Sequence, residues 1–573
     1  VGEFARLENF RITRDRHLQI RPGCKTAVHL GALTGAADAR LRGVWQGMAG
    51  QRQCLLASFG GQVWEVDVSA GTATERGSAA DAPAHFFGFG GKVYLLDGQS
   101  YQVWDGSAAG SFQAVSGYVP LVQTATTPDG SGTLLEPVNR LTNKRRVSFS
   151  PDGEAALFHL PERAVTAVER VEIGGVVAEG YSVDAAAGTV LFSAPPAAGT
   201  DTVEITYSKG ESARGEVTAM RFSELYNGAN DTRVFLYGDG TNRALYSGIP
   251  YATGRSSAEY FPALYELRVG ESNTPLTALV RHYARLMAFK PGSAWVIQYD
   301  STLALADGSA APAFYVQSVN RQFGNSAPGQ VRLLENDPLT LDAAGVYLWH
   351  SSGSYLSASE NNARRISDRV GASLRGFDPA RTQTVNVRAD HEFWLLCSGT
   401  ALIYNYANDV WYVYRALPFS QLVAAADGAC YGFCDDGRVV RFSRACRNDD
   451  GAPIDCYAET GAMDFGRDWL FKRSPMLFVA MQPETGARVS VSVETNRRSD
   501  YAQKVVAYPL ATFAHVDFKH FSFATNRKPQ VRRVRLRVKK ATFYRLIFQS
   551  HSASAAATVI ETDIVAAMGG GVK

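Results

Sequence analysis

One local pattern recurs along this chain and restricts it to β structure: a short apolar run, a tight turn containing glycine, and a second run rich in aromatic residues. It is present at residues 54–67, 87–97, 286–299, 346–355, 393–404 and 430–442. Apolar runs that flank such a turn are typical of β-hairpins. Because the units lie roughly 30 to 60 residues apart, they favour propeller blades, which repeat about every 40 to 50 residues. We therefore predict an all-β chain with a β-propeller core.

The repeat is interrupted between residues 119 and 215 and fades beyond residue 448. Both regions contain short patterns typical of strands. Between residues 119 and 215, residues that favour turns recur about every 8 to 12 positions, as in a small β-sandwich. The sequence thus predicts four segments. They are 1–118, the first part of the propeller with an N-terminal closing hairpin; 119–215, an inserted small β-sandwich; 216–448, the remaining blades; and 449–573, a C-terminal β-rich platform domain, sandwich-like, with a flexible tail from residue 566.

Composition places few limits on the partners of this chain. A net charge of +3 over 573 residues neither requires nor excludes nucleic acid. Seven cysteines without a CxxC pair favour free thiols in a reducing cytosol over disulfides or zinc. No apolar run approaches the roughly 18 to 20 residues of a membrane span, and the start lacks the pattern of a secretory signal. We expect a soluble protein without a membrane segment.

The strongest enzyme signatures are absent from the sequence, including HExxH, the GxSxG nucleophile elbow and the Walker loop. Three weaker patterns resemble known sites but are better explained as turns. Residues 88–91 resemble a dinucleotide loop, residues 148–153 resemble an Asp box, and the carboxylates of residues 448–455 resemble a set of calcium ligands. We predict no catalytic residues, no cofactor and no metal, and hence that the chain is not an enzyme. A propeller can nevertheless carry catalytic carboxylates on different blades, which keeps an alternative open.

The N-terminal residues predict a hairpin. Phe10, Ile12, Leu18 and Ile20 alternate with polar residues, as in strands with one buried face. Residues 14–16 form the turn between the two runs, and Pro22-Gly23 ends the second run. We expect this hairpin to close the propeller against its last blade, because closure removes exposed sheet edges.

A second strand pattern, at residues 527–540, is strongly basic. Alternation places its cations on one face and its apolar residues on the other. The cations are Arg533, Arg535, Arg537 and Lys539, and the apolar residues are Val534, Leu536 and Val538. We favour an acidic partner surface for the cationic face over the phosphates of DNA, and a merely solvated face is the remaining interpretation.

Several short patterns together resemble one known family. They are Leu7-x-Asn9 followed by a polar turn and Arg21-Pro22-Gly23, then Tyr260-Phe261-Pro262 with residues 275–290, Trp411-Tyr412-Val413-Tyr414-Arg415, and Lys472-Arg473-Ser474-Pro475. In this order they resemble the tail nozzle, or tail tubular (ring), proteins of short-tailed bacteriophages. The resemblance touches residues 1–25, 260–300 and 390–500, and the insertion at 119–215 departs from it.

That resemblance implies a structural virion protein, made in the host cytoplasm and located in the phage tail. Its expected partners are other copies of itself in a homohexameric ring, the portal-adaptor or head-to-tail connector protein, tail fibres or a spike, and genomic double-stranded DNA that passes through the lumen without sequence-specific binding. The ring would continue the DNA conduit and help to retain and then release the genome. Arg14 and Arg16 become candidate contacts with a neighbouring ring. The competing function is a carbohydrate-binding or glycan-degrading propeller, such as a tail spike, lectin or glycosidase.

Overall fold

The computed structural model describes residues 4–34, 39–227, 232–304, 310–350, 362–425, 427–484, 486–507 and 528–571. The chain is almost entirely β, with 54% of its residues in strands and 4% in helices. This confirms the all-β prediction. Within the described ranges, no helix is both long enough and apolar enough to cross a membrane.

The elements follow one another in chain order. Up to residue 118 they are β1 (Phe4–Glu8), β2 (Phe10–Ile12), β3 (Leu18–Ile20), β4 (Gly23–His29), α1 (Gly31–Thr34), β5 (Leu41–Ala49), β6 (Arg52–Phe59), β7 (Gln62–Asp67), β8 (Thr72–Ser78), β9 (His85–Phe89), β10 (Lys92–Leu96), β11 (Tyr101–Trp104) and β12 (Gln113–Ala114). The next group is β13 (Leu121–Thr126), β14 (Thr133–Leu134), β15 (Lys144–Phe149), β16 (Leu157–His159), β17 (Ala167–Ile173), β18 (Val176–Val177), β19 (Tyr181–Asp184), β20 (Thr189–Phe192), β21 (Val203–Ser208) and α2 (Arg214–Thr218).

The middle of the chain continues with further short strands. They are β22 (Phe222–Asn227), β23 (Thr232–Tyr237), β24 (Arg243–Tyr246), β25 (Glu266–Arg268), β26 (Ala278–His282), β27 (Arg285–Lys290), β28 (Ser293–Ala304), β29 (Ala310–Asn320), β30 (Arg332–Leu334), β31 (Asp337–Asp342), β32 (Gly345–Trp349) and β33 (Ala363–Arg365). Helix α3 (Gly371–Leu374) follows, with 3-10 turns at Asp368–Val370, Pro379–Arg381 and Arg388–Asp390.

The C-terminal strands are longer. The last group is β34 (Gln383–Val387), β35 (Glu392–Cys397), β36 (Thr400–Asn405), β37 (Val410–Tyr414), β38 (Gln421–Ala424), β39 (Cys430–Phe433), β40 (Arg438–Ser443), β41 (Ile454–Thr460), β42 (Leu470–Met481), β43 (Arg488–Thr495), β44 (Arg498–Ala507), β45 (Gln530–Ala541), β46 (Tyr544–Ser552) and β47 (Thr558–Gly571). Residues 566–571, expected to be flexible, therefore belong to a strand.

The chain divides into two compact units. Unit 1 comprises residues 1–41, 67–73 and 367–573, and unit 2 comprises residues 42–66 and 74–366. This division differs from the four segments read from the sequence, because residues 367–448 group with the C-terminal strands.

The described residues of unit 2 form five four-stranded sheets in which strands adjacent in sequence are also neighbours. Their orders are β5-β6-β7-β8, β12-β11-β10-β9, β22-β23-β24-β25, β26-β27-β28-β29 and β30-β31-β32-β33. Apolar side chains of adjacent sheets share buried clusters; Leu96 and Leu236, for example, belong to the same one. Each sheet thereby buries at least one face, as a sheet in water must.

The region predicted as an insertion forms sheets of its own within unit 2. A six-stranded sheet has the order β14-β13-β15-β21-β17-β18, and a three-stranded sheet has the order β16-β20-β19. A separate apolar cluster is centred on Phe149, Phe158 and Phe192. These rings meet edge to face, with centroids 5.3 Å and 5.1 Å apart, which is a favourable aromatic geometry.

In the part of unit 1 that the structure describes there are two further four-stranded meanders. One, β34-β35-β36-β37, continues through β1 into the C-terminal strands as a nine-stranded sheet that ends β41-β46-β43-β44. The other is β38-β39-β40-β4, in which the N-terminal strand β4 pairs with β40. A five-stranded sheet, β2-β3-β47-β42-β45, completes the unit.

The N-terminal hairpin does not take the position that we predicted for it. Strands β2 and β3 pair as expected, but β3 adds to β47, with Leu18 opposite Val559. The outer strand of the last meander is β4 instead. The reason is packing, because Phe10, Leu18 and Val559 belong to the same buried apolar cluster.

The glycine turns of the repeated pattern are confirmed where the structure describes them. β6 and β7 meet at Gly60-Gly61, and β9 and β10 meet at Gly90-Gly91, all four with positive φ. Positive φ at both central residues matches the right-handed twist of paired strands. The hairpins at 286–299, 393–404 and 430–442 also form. The turn predicted near residue 352 lies outside the described residues.

Candidate functional site

The basic strand predicted from the sequence is β45, and its burial alternates along the strand. One face packs into the core, and the other faces solvent. Val534, Leu536 and Val538 are buried, whereas Arg533, Arg535, Arg537 and Lys539 are exposed. The last four residues are called the basic face below. The predicted alternation is thus present, and what the face contacts stays a prediction.

Strand β45 is bent by two bulges. Arg537 and Lys540 have φ values of 56° and 55°, in a region that residues with a Cβ rarely occupy. The register against β42 shifts at both places, as expected when one strand carries an extra residue. Each left-handed residue costs about 1 to 3 kcal/mol, and such strain clusters at functional sites. Bulges also re-aim side chains, so they help to set the direction of the cations.

A groove of about 980 Å³ lies along β44 and β45, each of which is the last strand of its own sheet. This basic groove combines two kinds of lining. Its cations are Arg498, Lys504, Arg532, Arg533, Arg535 and Arg537. Among its apolar residues, Val505 is 68% exposed. Charged residues on edge strands discourage unwanted strand pairing, and Val505 lies exposed beside them.

The charge of the basic face is not neutralised within the described part of the chain. Its four cations make no ion pair and no side-chain hydrogen bond there. Neighbouring cations on one face of a strand lie about 7 Å apart, where two like charges in water repel by about 0.6 kcal/mol. Folding gains nothing from this cluster, so a bound anionic surface would relieve the repulsion.

The residues of the N-terminal pattern form a buried network. Asn9 is 3% exposed; its side-chain oxygen accepts from Arg21 Nε at 3.0 Å and from the Arg415 N–H at 2.8 Å. Arg21 also donates to both carboxylate oxygens of Asp449, at 3.2 Å and 2.6 Å. Asn9, Arg21 and Asp449 are called the N-terminal clasp below. A bidentate guanidinium–carboxylate pair is among the strongest polar contacts in proteins.

Glycine follows the clasp for a steric reason. A Cβ on Gly23 would lie 2.2 Å from the carbonyl oxygen of Asn448. The backbones approach so closely because the N–H of Gly23 donates to Cys446 O at 2.9 Å and that of Cys24 donates to Asn448 O at 3.0 Å. The Arg-Pro-Gly pattern therefore has a structural function at each end.

A second N-terminal cation is also buried. Arg11 donates to Asp390 Oδ1 at 2.9 Å and lies 3.6 Å from Glu392 Oε1. Burial by itself lowers the pKa of the Arg11 guanidinium, but Glu392 and Asp390 outweigh it, and the pKa is raised. Burial raises the pKa of Glu392, and Arg11 limits the rise. One guanidinium thus binds the buried Glu392 and the partly buried Asp390.

The alternation in the hairpin predicts one buried face, yet Arg11 and Arg21, on the polar side of that alternation, are buried as well. Both are 3% exposed or less, because unit 1 covers both faces of the hairpin. A period-two pattern cannot show this, since it distinguishes two faces of a strand but not whether each face has a cover.

Arg14 and Arg16, the predicted ring contacts, lie in the exposed turn between β2 and β3. The turn closes through the Arg16 N–H, which donates to Thr13 O at 2.9 Å, and Arg16 has a φ of 62°. The contact of Arg14 and Arg16 with a neighbouring ring stays a prediction.

Strand β22 carries a carboxyl group that the sequence did not single out. Burial raises the pKa of Glu224 to about 7, and Arg332 and Arg281 limit the rise. The preceding residue, Ser223, lies 2.9 Å from His85 Nε2, and burial lowers the pKa of His85 to about 3. A carboxyl group that titrates near neutrality can act as a general acid or base. No sequence motif identifies Glu224, because its raised pKa results from the residues that surround it in the folded protein.

The carboxylates considered as calcium ligands bind cations of the chain instead. Asp449 binds Arg21, and Asp450 accepts from the N–H of Thr26 at 2.6 Å and from Arg438 at 2.9 Å. In the described ranges, no group of three His, Cys, Asp or Glu side chains is placed to hold a metal ion.

Comparison with known proteins gives weak likenesses. No family model and no curated protein matches the chain. An arabinoxylan arabinofuranohydrolase of glycoside hydrolase family 43 from Bacillus subtilis is 9% identical, with a TM-score of 0.18, over 60% of this chain and 78% of its own. Hsv2 from Kluyveromyces lactis is 9% identical, with a TM-score of 0.26, over 65% and 97%. An exo-β-1,3-galactanase from Phanerochaete chrysosporium is 8% identical, with a TM-score of 0.18, over 85% and 97%.

These likenesses contradict one prediction from the sequence. We predicted that the chain is not an enzyme, yet two of these three solved structures are glycoside hydrolases. That prediction is wrong, because it rested on the absence of linear motifs, and propeller hydrolases collect their carboxylates from separate strands. At these TM-scores the likenesses carry no argument about an activity or substrate of this chain.

Proposed function

We propose that this protein is a ring-forming structural component of a short bacteriophage tail, a nozzle that continues the DNA conduit below the portal and adaptor. One observation carries the proposal. Asn9, Arg21 and Gly23, through which the chain resembles tail nozzle proteins, are buried together and tie the N-terminus to the C-terminal sheets of unit 1. Residues that tie the N-terminus to the C-terminal sheets are expected to recur in proteins of this architecture. This supports the resemblance to tail nozzle proteins over a hairpin that matches them by chance.

The finer architecture belongs to the same proposal. The described residues hold seven four-stranded meanders, which we take as blades of a β-propeller, with β4 as the strand that completes the last blade. The two sheets of residues 121–208 would be the inserted sandwich, and β41–β47 the platform. A propeller leaves only short, protected edges, which suits a rigid part that must withstand pressure from packaged DNA.

Surfaces for partners are also available. The basic groove lies on two edge strands, and in a ring its cations would meet an acidic neighbour. The lumen would pass genomic DNA without reading its sequence, since phosphate contacts carry no sequence information. Tail fibres or a spike would dock on the outer surface.

Particle mass and shape test this function. Mass photometry of the purified protein, alone and with its head-to-tail connector protein, should give particles of about six times 62.1 kDa. Negative-stain images should show rings with a central opening. Monomers in both samples, together with turnover of a glycan, would overturn the proposal.

A glycan-degrading propeller is the second candidate, and Glu224 is the observation that favours it. An acid with a pKa of about 7 matches the general acid of a glycosidase. The wild type should then hydrolyse a bacterial surface polysaccharide, and Glu224→Gln should lose at least 100-fold of that rate, whereas the exposed control Glu335→Gln should keep it. Absence of wild-type turnover across a panel of host polysaccharides would exclude this candidate.

A further inference from the structure

Charge is segregated between two parts of this nearly neutral chain. In residues 486–507 and 528–571, twelve Lys or Arg residues stand against four Asp or Glu residues. In residues 150–192, within the insertion, seven Asp or Glu residues stand against two Arg residues. The net charge of +3 hides this difference. One chain therefore carries both a strongly basic and a strongly acidic region.

The acidic region includes an exposed apolar pair. In the sheet β16-β20-β19, Leu157 lies opposite Leu191, and their side chains are 42% and 47% exposed. The opposite face is covered, because Phe158 and Val190 are fully buried. Two leucines side by side on the solvent face of a sheet indicate a contact surface when polar residues surround them.

Carboxylates that make no ion pair within the described residues lie at the same end of that sheet. β16 and β19 both begin where β20 ends, since Leu157 and Ser182 each pair with Leu191. Asp152 and Glu154 precede β16, and Glu179 precedes β19. All three are exposed, and within the described residues none makes an ion pair. Asp152, Glu154 and Glu179 are called the acidic edge below.

The basic groove has the complementary composition. Lys504, Arg533 and Arg535 supply charge opposite in sign to the acidic edge, and Val505 supplies an exposed apolar side chain. DNA would use the cations but not the apolar residues, because phosphates offer no apolar contact. A protein surface that combines carboxylates with leucines uses both.

A closed ring requires this kind of pair. In a cyclic assembly each copy presents one surface to one neighbour and a different, complementary surface to the other. Opposite charges speed the encounter and fix the register, while apolar contacts slow dissociation. We propose that the acidic edge of one copy, with Leu157 and Leu191, docks against the basic groove of the next copy. This inference rests on the proposed ring function and names the partner of the basic groove as a second copy of the chain.

Charge exchange in the full-length protein tests this interface. The basic-groove variant is Arg533→Glu with Arg535→Glu, and the acidic-edge variant is Glu154→Lys with Glu179→Lys. Each should raise the protein concentration needed for half-maximal ring assembly at least tenfold, measured by mass photometry in about 50 mM salt. Combining all four substitutions should bring it back to within about threefold of the wild type, because opposite charges meet again.

Controls separate this effect from folding and net charge. Arg375→Glu with Arg388→Glu changes two exposed cations elsewhere, and it should assemble as the wild type does. Each variant should melt within about 2 °C of the wild type. If the glutamate variant does not fold, Arg533→Gln with Arg535→Gln replaces it, with an expected loss of at least threefold.

Four outcomes would overturn the interface. The first is a ring that neither charge variant disturbs, which rejects this contact and leaves the ring function standing. The second is a combined variant no better than the worse single-surface variant. The third is loss of binding to a short DNA duplex in Arg533→Glu with Arg535→Glu while assembly is unchanged, which would assign the groove to nucleic acid. A wild type that is monomeric in every condition contradicts the ring function as well.

Discussion

Arginines occur in opposite environments in two regions of unit 1, the N-terminal clasp and the basic face. In the N-terminal clasp, Arg21 is 2% exposed, and its guanidinium donates to Asn9 and to both oxygens of Asp449. On the basic face, Arg533 and Arg535 are exposed and have no partner among the described residues. The same type of side chain is thus part of the folded core in the N-terminal clasp and a surface charge without a partner on the basic face.

The difference shows how to separate structural from interacting cations. Removing a buried charge partner leaves its counterpart desolvated and unpaired, which is strongly destabilising. Removing an exposed, unpaired cation costs folding almost nothing. If the comparison holds, stability and partner binding should respond to different arginines.

The largest expected effect on stability is at the clasp. Arg21→Met should lower the free energy of unfolding by about 3 to 5 kcal/mol, because the largely buried Asp449 would lose its guanidinium partner. Chemical denaturation followed by tryptophan fluorescence measures the change. Arg14→Met, in the exposed turn of the same hairpin, is the matched control and should cost less than about 0.5 kcal/mol. Equal midpoints for the two variants would contradict the assignment of the clasp.

A smaller, pH-dependent effect is expected at the other buried arginine. Burial raises the pKa of Asp390, but Arg11 and Arg444 outweigh it, and the pKa is lowered from its ordinary value of 3.8. A lowered pKa means that Asp390 stabilises the fold fully above about pH 4 and progressively less as the pH falls through its folded-state value.

Asp390→Asn should therefore cost about 2 kcal/mol at pH 7, and this cost should shrink below pH 4. Thermal unfolding from pH 7 to pH 3 measures it, with Asp15→Asn in the exposed turn as control. A cost that is constant over this range would show that the carboxylate charge is not what Arg11 binds.

The smallest effect on stability is expected at the basic face, where Arg533→Ser, Arg535→Ser and Arg537→Ser together should change the free energy of unfolding by less than about 1 kcal/mol. The same variant should elute from a heparin column at a clearly lower salt concentration, because three accessible cations are lost. Arg255→Ser, Arg375→Ser and Arg388→Ser remove equal charge elsewhere, and their elution should fall less. If the basic-face variant unfolds instead, the proposed contrast between the two regions of unit 1 does not hold.

Local patterns in the sequence predicted much of this fold. The glycine turns at 60–61 and 90–91 predicted hairpins, because positive φ at two successive residues is a local property of the chain. The alternation in β45 predicted which side chains are exposed, since a strand has two faces whatever its neighbours are. The all-β class and the separate strands of the insertion follow from the same kind of signal.

The candidate groove was only half predictable. Arg533, Arg535 and Arg537 stand in one strand and are visible as a pattern, but Arg498 and Lys504 join them only because β44 and β45 end two different sheets. Glu224 carried no sequence signal at all, because burial among residues distant in sequence raises its pKa.

By itself, the sequence determined the strands, their turns and the faces they present, because these depend on neighbours one to four residues away. The tertiary structure alone decided that Arg11 and Arg21 are buried, that β4 and not the hairpin completes the last meander, and that the acidic edge assembles from residues 152, 154 and 179. Each of these depends on which distant segment packs against a given face of a strand. A local pattern of apolar and polar residues does not show which segment that is.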